Sequence, residues 1–206
     1  MGDARVSGDG DRTRIALDAD GAMFEVECTR LGGASFEPGS AFADVTGVTR
    51  EVFVGRVRGE WRAGGSSGQL RCLGRMVRTT GEIEWNRIEL LRSLAAGFED
   101  GSLLAVAAAR PAEAAGHGEE AVSAFLLDAD GSVNRFEETL LSTEYDAEGH
   151  HRRAGLELWS ADEGSPLRGS GTLIGAAGEN AFMSFTLNGS PGTARYEIAR
   201  AGASDP

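Results

Sequence analysis

Lysine is missing from this sequence: all 20 basic residues among its 206 are arginine, as a GC-rich genome would write them. Its absence excludes Schiff-base chemistry, the phosphate-binding lysine of nucleotide loops and a lysine general base. Cysteine is nearly absent too. Cys28 and Cys72 each lie in an apolar-alternating run, where a small buried thiol is ordinary. A disulfide between them is the other option, disfavoured in a chain read as cytoplasmic. The three histidines, His117, His150 and His151, sit in Gly/Glu-rich polar stretches, and no HxH, HExxH or CxxC spacing occurs. Neither a metal site nor a cofactor is therefore expected. GxSxG, GxGxxG and GxxxxGK[ST] are absent as well, which removes the nucleophile-elbow and nucleotide-fold readings. No run approaches 18 apolar residues and the first residues carry no apolar signal core, so a cytoplasmic chain without membrane insertion is expected. Positive charge is the minority sign, 20 basic against 32 acidic residues, net -12, and such a balance argues against nucleic-acid binding.

What the chain has in quantity is glycine, 30 residues, placed between short runs that alternate apolar and polar. Residues 14–18 and 23–28 alternate around Asp20-Gly21, a pair that tolerates the positive φ of a type I′ hairpin turn. Residues 31–47 read as a long loop. Further strands are expected over 51–61, 69–78, 87–98, 103–110, 121–127, 133–143, 152–159, 167–174, 182–187 and 193–198. Residues 85–98 also fit a helical face, but Asp100-Gly101 followed by another apolar run favours a hairpin. About twelve strands result, with little helix: an all-β antiparallel barrel or sandwich. The expected organisation is a single domain over 12–201, between flexible tails at 1–11 and 202–206.

Several segments carry a resemblance. They are Cys72-Leu73-Gly74-Arg75-Met76-Val77-Arg78, Trp85-Asn86-Arg87 and Phe98-Glu99-Asp100-Gly101-Ser102, with residues 125–133 and Thr143-Glu144-Tyr145-Asp146. Across roughly residues 50–175 the chain resembles the carotenoid hydratase/AttH-like group of lipocalin-like proteins. The resemblance implies a β-barrel or sandwich enclosing an apolar ligand. Some members hydrate carotenoid double bonds, and related fungal proteins close the rings of polyketide polyenes. Where many relatives carry a histidine-tryptophan-glycine token, this chain reads Thr79-Thr80-Gly81-Glu82-Ile83-Glu84-Trp85, so no acid/base role can be carried over there.

The densest polar cluster beside apolar residues is Glu82, Glu84, Arg87 and Glu89. On one continuous strand Glu82 and Glu84 would share a face, with Trp85, Arg87 and Glu89 on the other. One reading makes these four catalytic: a carboxyl group in an apolar barrel becomes a general acid, and Arg87 keeps Glu89 ionised to position substrate. The other makes them a solvated face with cross-strand Arg–Glu pairs. Trp61, Trp85 and Trp159 would offer flat surfaces to a polyene or would fill the core; Tyr145 would donate to a substrate carbonyl or cap a turn. Asp128, Asp130 and Asp146 lack calcium-loop spacing and read as turn residues. The function expected is a cofactor-independent cyclase, hydratase or isomerase acting on a polyene, polyketide or terpenoid. The alternative is a non-catalytic carrier or sensor of a hydrophobic small molecule. A second copy, in a homodimer, is an open option.

Overall fold

The computed structural model describes residues 3–147, 151–161 and 164–201, which form fourteen strands, one short α-helix and a single 3₁₀ turn. Chain contacts divide them into two compact units, Met1–Gly33 with Val52–Arg78 and Ala34–Glu51 with Thr79–Pro206. The tail expected at 202–206, together with His150, lies outside the described residues.

The first unit is built on a five-stranded antiparallel meander. Its strands are β1 (Asp3–Asp9), β2 (Arg12–Ala19), β3 (Ala22–Phe36), β4 (Thr49–Ala63) and β5 (Ser66–Thr80), hydrogen-bonded in sequence order. The β2–β3 turn is the one read from Asp20-Gly21, with φ of 50° and 78°. Two expectations are corrected here. Residues 3–9 are not a tail: Gly10, at φ 59°, reverses the chain, and β1 pairs with β2 from Asp3↔Asp18 to Asp9↔Arg12. Nor are residues 31–47 a loop throughout. Strand β3 continues to Phe36, and α1 (Ala41–Thr46) follows between two capping residues. Ser40 accepts from the Ala43 N–H, and Gly47 ends the helix in the left-handed region at φ 71°.

The second unit holds a nine-stranded sheet. Its strands are β6 (Ile88–Phe98), β7 (Leu103–Pro111), β8 (Ala121–Leu127), β9 (Val133–Arg135), β10 (Glu138–Tyr145), β11 (His151–Trp159), β12 (Leu167–Ala177), β13 (Asn180–Leu187) and β14 (Ser190–Arg200). The 3₁₀ turn His117–Glu119 leads into β8, and the spatial order is β10-β11-β12-β13-β14-β6-β7-β8-β9. The sheet curls into a half-barrel, an all-β lipocalin-like fold. The ambiguous segment 85–98 is strand from Ile88 onward, turned at Gly101 (φ 88°) as Asp100-Gly101 suggested. Its first part is not strand, so residues 82–89 do not form the continuous strand that the face argument assumed.

Alternate side chains of each strand fill the concave side: Leu90, Leu94, Ala96 and Phe98 of β6 meet Met183, Phe185 and Ala194. Gly169 and Gly171 of β12 are glycine because the Phe185 ring occupies the space above them: a Cβ on Gly171 would lie 2.9 Å from that ring. On the other side, α1 covers β7 and β8. Phe36 packs, with tilted rings, between Phe42 of the helix (centroids 6.0 Å) and Phe125 of β8 (5.0 Å). The Phe42 N–H donates to Ser123 Oγ at 3.0 Å.

Candidate active site

One inward position of β6 is not apolar. Between Leu90 and Leu94 stands Arg92, 2% exposed, on a face of the strand whose other inward side chains are apolar. An arginine remains protonated in such a place and must be paired. Its Nη2 donates to the Glu120 carboxylate, whose side chain is equally buried, and to the backbone carbonyl of Leu141 at 2.9 Å. Its Nη1 donates to Thr143 Oγ1 at 2.9 Å and to the Tyr196 hydroxyl at 3.1 Å. These partners come from the approach to β8, from β10 and from β14, so a single guanidinium ties together three parts of the curled sheet. Strand β10 ends the sheet order, and the Leu141 carbonyl takes from Arg92 a hydrogen bond that no further strand supplies.

Two hydroxyls complete the cluster. Thr143 Oγ1 and the Tyr196 hydroxyl are 2.5 Å apart, and both accept from Arg92. Their mutual bond uses one hydroxyl hydrogen, leaving the other for a further acceptor. Burial pushes the Tyr196 phenol above its ordinary 10.0, against the opposing pull of Arg92 and Thr143. Tyr196 therefore stays a neutral hydroxyl at physiological pH.

Towards the open end of the unit the cluster is covered by His151, the first residue of β11. Its ring centroid lies 5.4 Å from that of Tyr196 and 6.0 Å from that of Tyr145. Tyr145 and His151 are register partners on β10 and β11, which fixes the two rings side by side. A cavity of about 230 Å³ opens on them, floored by Leu173, Ala181 and Ile198 and rimmed by Glu179 and Arg200. An imidazole in the wall of that cavity presents ring nitrogens that can donate or accept a proton. Of the cluster, the Tyr196 ring is the part that packs against it.

The residues singled out from sequence lie elsewhere, with one exception. Glu82, Glu84, Trp85 and Arg87 are exposed in the turns before β6. Glu84 and Arg87 pair with each other at 3.4 Å, three residues apart. Glu89 is on β6 but on the face opposite Arg92, where it accepts from Arg110 of β7 at 2.9 Å. Trp61 is half-buried in the first unit, and Trp159 is half-buried at the end of β11. Tyr145 is the one that borders the cavity. Asp128 and Asp130 act as turn residues: Asp130 accepts from the Ser132 N–H and hydroxyl at 2.8 and 2.7 Å. No metal-binding group of three His, Cys, Asp or Glu occurs among the described residues, and both cysteines are free thiols. No described helix is long and apolar enough to cross a membrane.

Arg92 had a legible signal, a charge at a position whose same-face neighbours Leu90, Leu94, Ala96 and Phe98 are all apolar. Tyr196 had a weaker one, an aromatic in the alternation of 193–198. Glu120 and His151 had none, since each stands in a polar stretch and is brought inward only by the curl of the sheet.

No family model matches the sequence, and no curated protein matches it significantly. The fold is similar to the crystal structure of kievitone hydratase from Nectria haematococca, with a TM-score of 0.66. The match covers 98% of this chain and 69% of that one, at 10% sequence identity. At that identity the likeness is one of fold, and it agrees with the lipocalin-like architecture implied by the resemblance to the carotenoid hydratase/AttH-like group.

Proposed function

We propose that this chain is an enzyme of the hydratase, isomerase or cyclase kind. It takes one end of a polyene, polyketide or terpenoid into the cavity at His151 and transforms it without a cofactor. The observation that supports this most is the placement of His151. It stands in the wall of an apolar cavity, held between two tyrosine rings and backed by the buried ion pair of Arg92 and Glu120. Burying that pair is costly, and hydrophobic residues of similar size would serve stability as well or better. In isomerisation, imidazolium gives a proton to one carbon of the polyene and imidazole then takes one from another, so the charge balances over the cycle. In hydration, imidazolium protonates one alkene carbon, water adds to the other, and imidazole accepts the proton that water sheds. Ring closure within the end that enters needs only that its reacting carbons be held together, which is worth up to roughly 7–11 kcal/mol. The fold likeness to a hydratase is in keeping with this reading.

The test is incubation with linear polyketide and isoprenoid precursors, followed by mass and retention time. A product isomeric with its precursor, or heavier by one water, that disappears in His151→Ala supports the enzyme. Ligand that is bound and recovered unchanged marks a carrier instead.

A further inference from the structure

Arg200 is the last of a series of inward positions on β14, following Ala194, Tyr196 and Ile198. It stands exposed at the mouth of the cavity that His151 lines. The arginines on the adjoining strand β6 and next to it are engaged, Arg92 with Glu120 and Arg110 with Glu89, as is Arg195 of β14 with Glu197. The Arg200 side chain makes no hydrogen bond or ion pair among the described residues, although the chain carries an excess of 12 negative charges. A planar guanidinium with all its donors available is suited to a carboxylate, which it can engage bidentately.

The cavity below sets the rest of the ligand. Its 230 Å³ falls short of the roughly 300–1,000 Å³ of sites for drug-sized molecules, so it holds one ring or a short unsaturated chain. Leu173, Ala181 and Ile198 give that body an apolar floor, and Tyr145 and His151 give it flat walls. Glu179, on the turn between β12 and β13, faces the same mouth and makes no ion pair among the described residues. Its charge opposes any acidic group there, so only one that Arg200 engages directly is tolerated.

We infer that the cavity takes a monocarboxylate with a flat, unsaturated body, an aryl- or polyenyl-carboxylate, whose acid group is held at the rim by Arg200 while its unsaturated part lies against His151. This rests on the proposed function for the site and narrows its substrate class.

Calorimetric titration with cinnamate, methyl cinnamate and cinnamyl alcohol tests it, since the three share a body and differ in the head group. Cinnamate is expected to bind about tenfold or more tighter than the ester, with the difference shrinking as salt is added. Arg200→Gln is expected to remove the preference and leave ester binding unchanged, and Glu179→Gln to admit a dicarboxylate that the native chain rejects. If ester and alcohol bind as tightly as cinnamate, or if Arg200→Gln keeps the preference, the carboxylate assignment is overturned while the cavity at His151 stands. If none of the three binds, both fall.

Discussion

The hydroxyls of Thr143 and Tyr196 meet at 2.5 Å although three strands separate β10 from β14 in the sheet. The contact therefore spans the concave side rather than running along the sheet. Arg92 donates to both groups and to the Leu141 carbonyl as well. A half-barrel has two free margins, and here one of them is drawn inward by side-chain bonds in place of backbone pairing.

Tyr196→Phe should separate the role of this hydroxyl from that of its ring. At about pH 8 the variant should lose roughly 1–3 kcal/mol in urea unfolding, since Arg92 and Thr143 lose a buried partner while packing is kept. Burial raises the Tyr196 phenol. The folded chain therefore holds this proton more tightly than the unfolded one. Its contribution is complete below the unfolded value near 10 and is lost as pH rises past it. Between about pH 8 and pH 10.5 the native chain should lose stability faster than the variant, narrowing the gap. Parallel curves would contradict the assignment.

Arg92→Met and Glu120→Gln should each be costly, about 3–5 kcal/mol for the change that strands a buried charge. The double variant should be less destabilised than the sum of the two, because the remaining charge is removed along with its partner. Denaturant midpoints of the four proteins close this cycle, and strict additivity would mean that the two side chains are not coupled.

How far the sequence foretold this arrangement depended on whether a feature was local. Asp20-Gly21 and Asp100-Gly101 set their turns by backbone preference, so the hairpins they make could be read directly. The alternation of β11 to β14 likewise marked those strands, because each buries one face, whereas the single strand expected over 133–143 is broken at residues 136–137 into β9 and β10. Strand β1 was missed because all seven of its residues are exposed and it is held by pairing alone. Helix α1 was missed because six residues between a serine and a glycine carry almost no periodicity. At the candidate site the failure has a single cause. Arg92, Thr143, Tyr196 and His151 come from four strands, and it is the curvature of the sheet that brings them together. Glu82, Glu84 and Glu89 attracted attention as a cluster in sequence, but the chain turns at residues 81–87 and only Glu89 is in a strand.

Gly171→Ala should destabilise the second unit by about 1–3 kcal/mol, the usual range for overpacking a filled site. The added methyl would sit 2.9 Å from the Phe185 ring and 3.0 Å from Met183 Sδ, both buried and with little room to shift. Gly175→Ala on the same strand is the control, because nothing lies within 4 Å of its Cβ position. Thermal unfolding should lower the midpoint for Gly171→Ala alone, and equal midpoints would show that the Phe185 ring is free to move aside.

His151 and the sequence cluster of carboxylates make opposite demands on turnover. If His151 moves the proton, His151→Gln should lower turnover by about 10²-fold or more, the usual range for a general acid or base, with ligand binding retained. Tyr145→Phe keeps the neighbouring ring and should change the rate far less. Glu82→Gln and Glu84→Gln alter exposed side chains and should leave both rate and stability within measurement error. Glu89→Gln removes one acceptor from Arg110 and should cost a few tenths of a kcal/mol at most, because Glu89 is half exposed. All five variants can be compared on whichever precursor the native chain converts. A loss confined to one of the three glutamate variants would return catalysis to the carboxylates and leave His151 a packing residue. A loss confined to His151→Gln would place the chemistry inside the nine-stranded unit, behind the rim that Arg200 and Glu179 form.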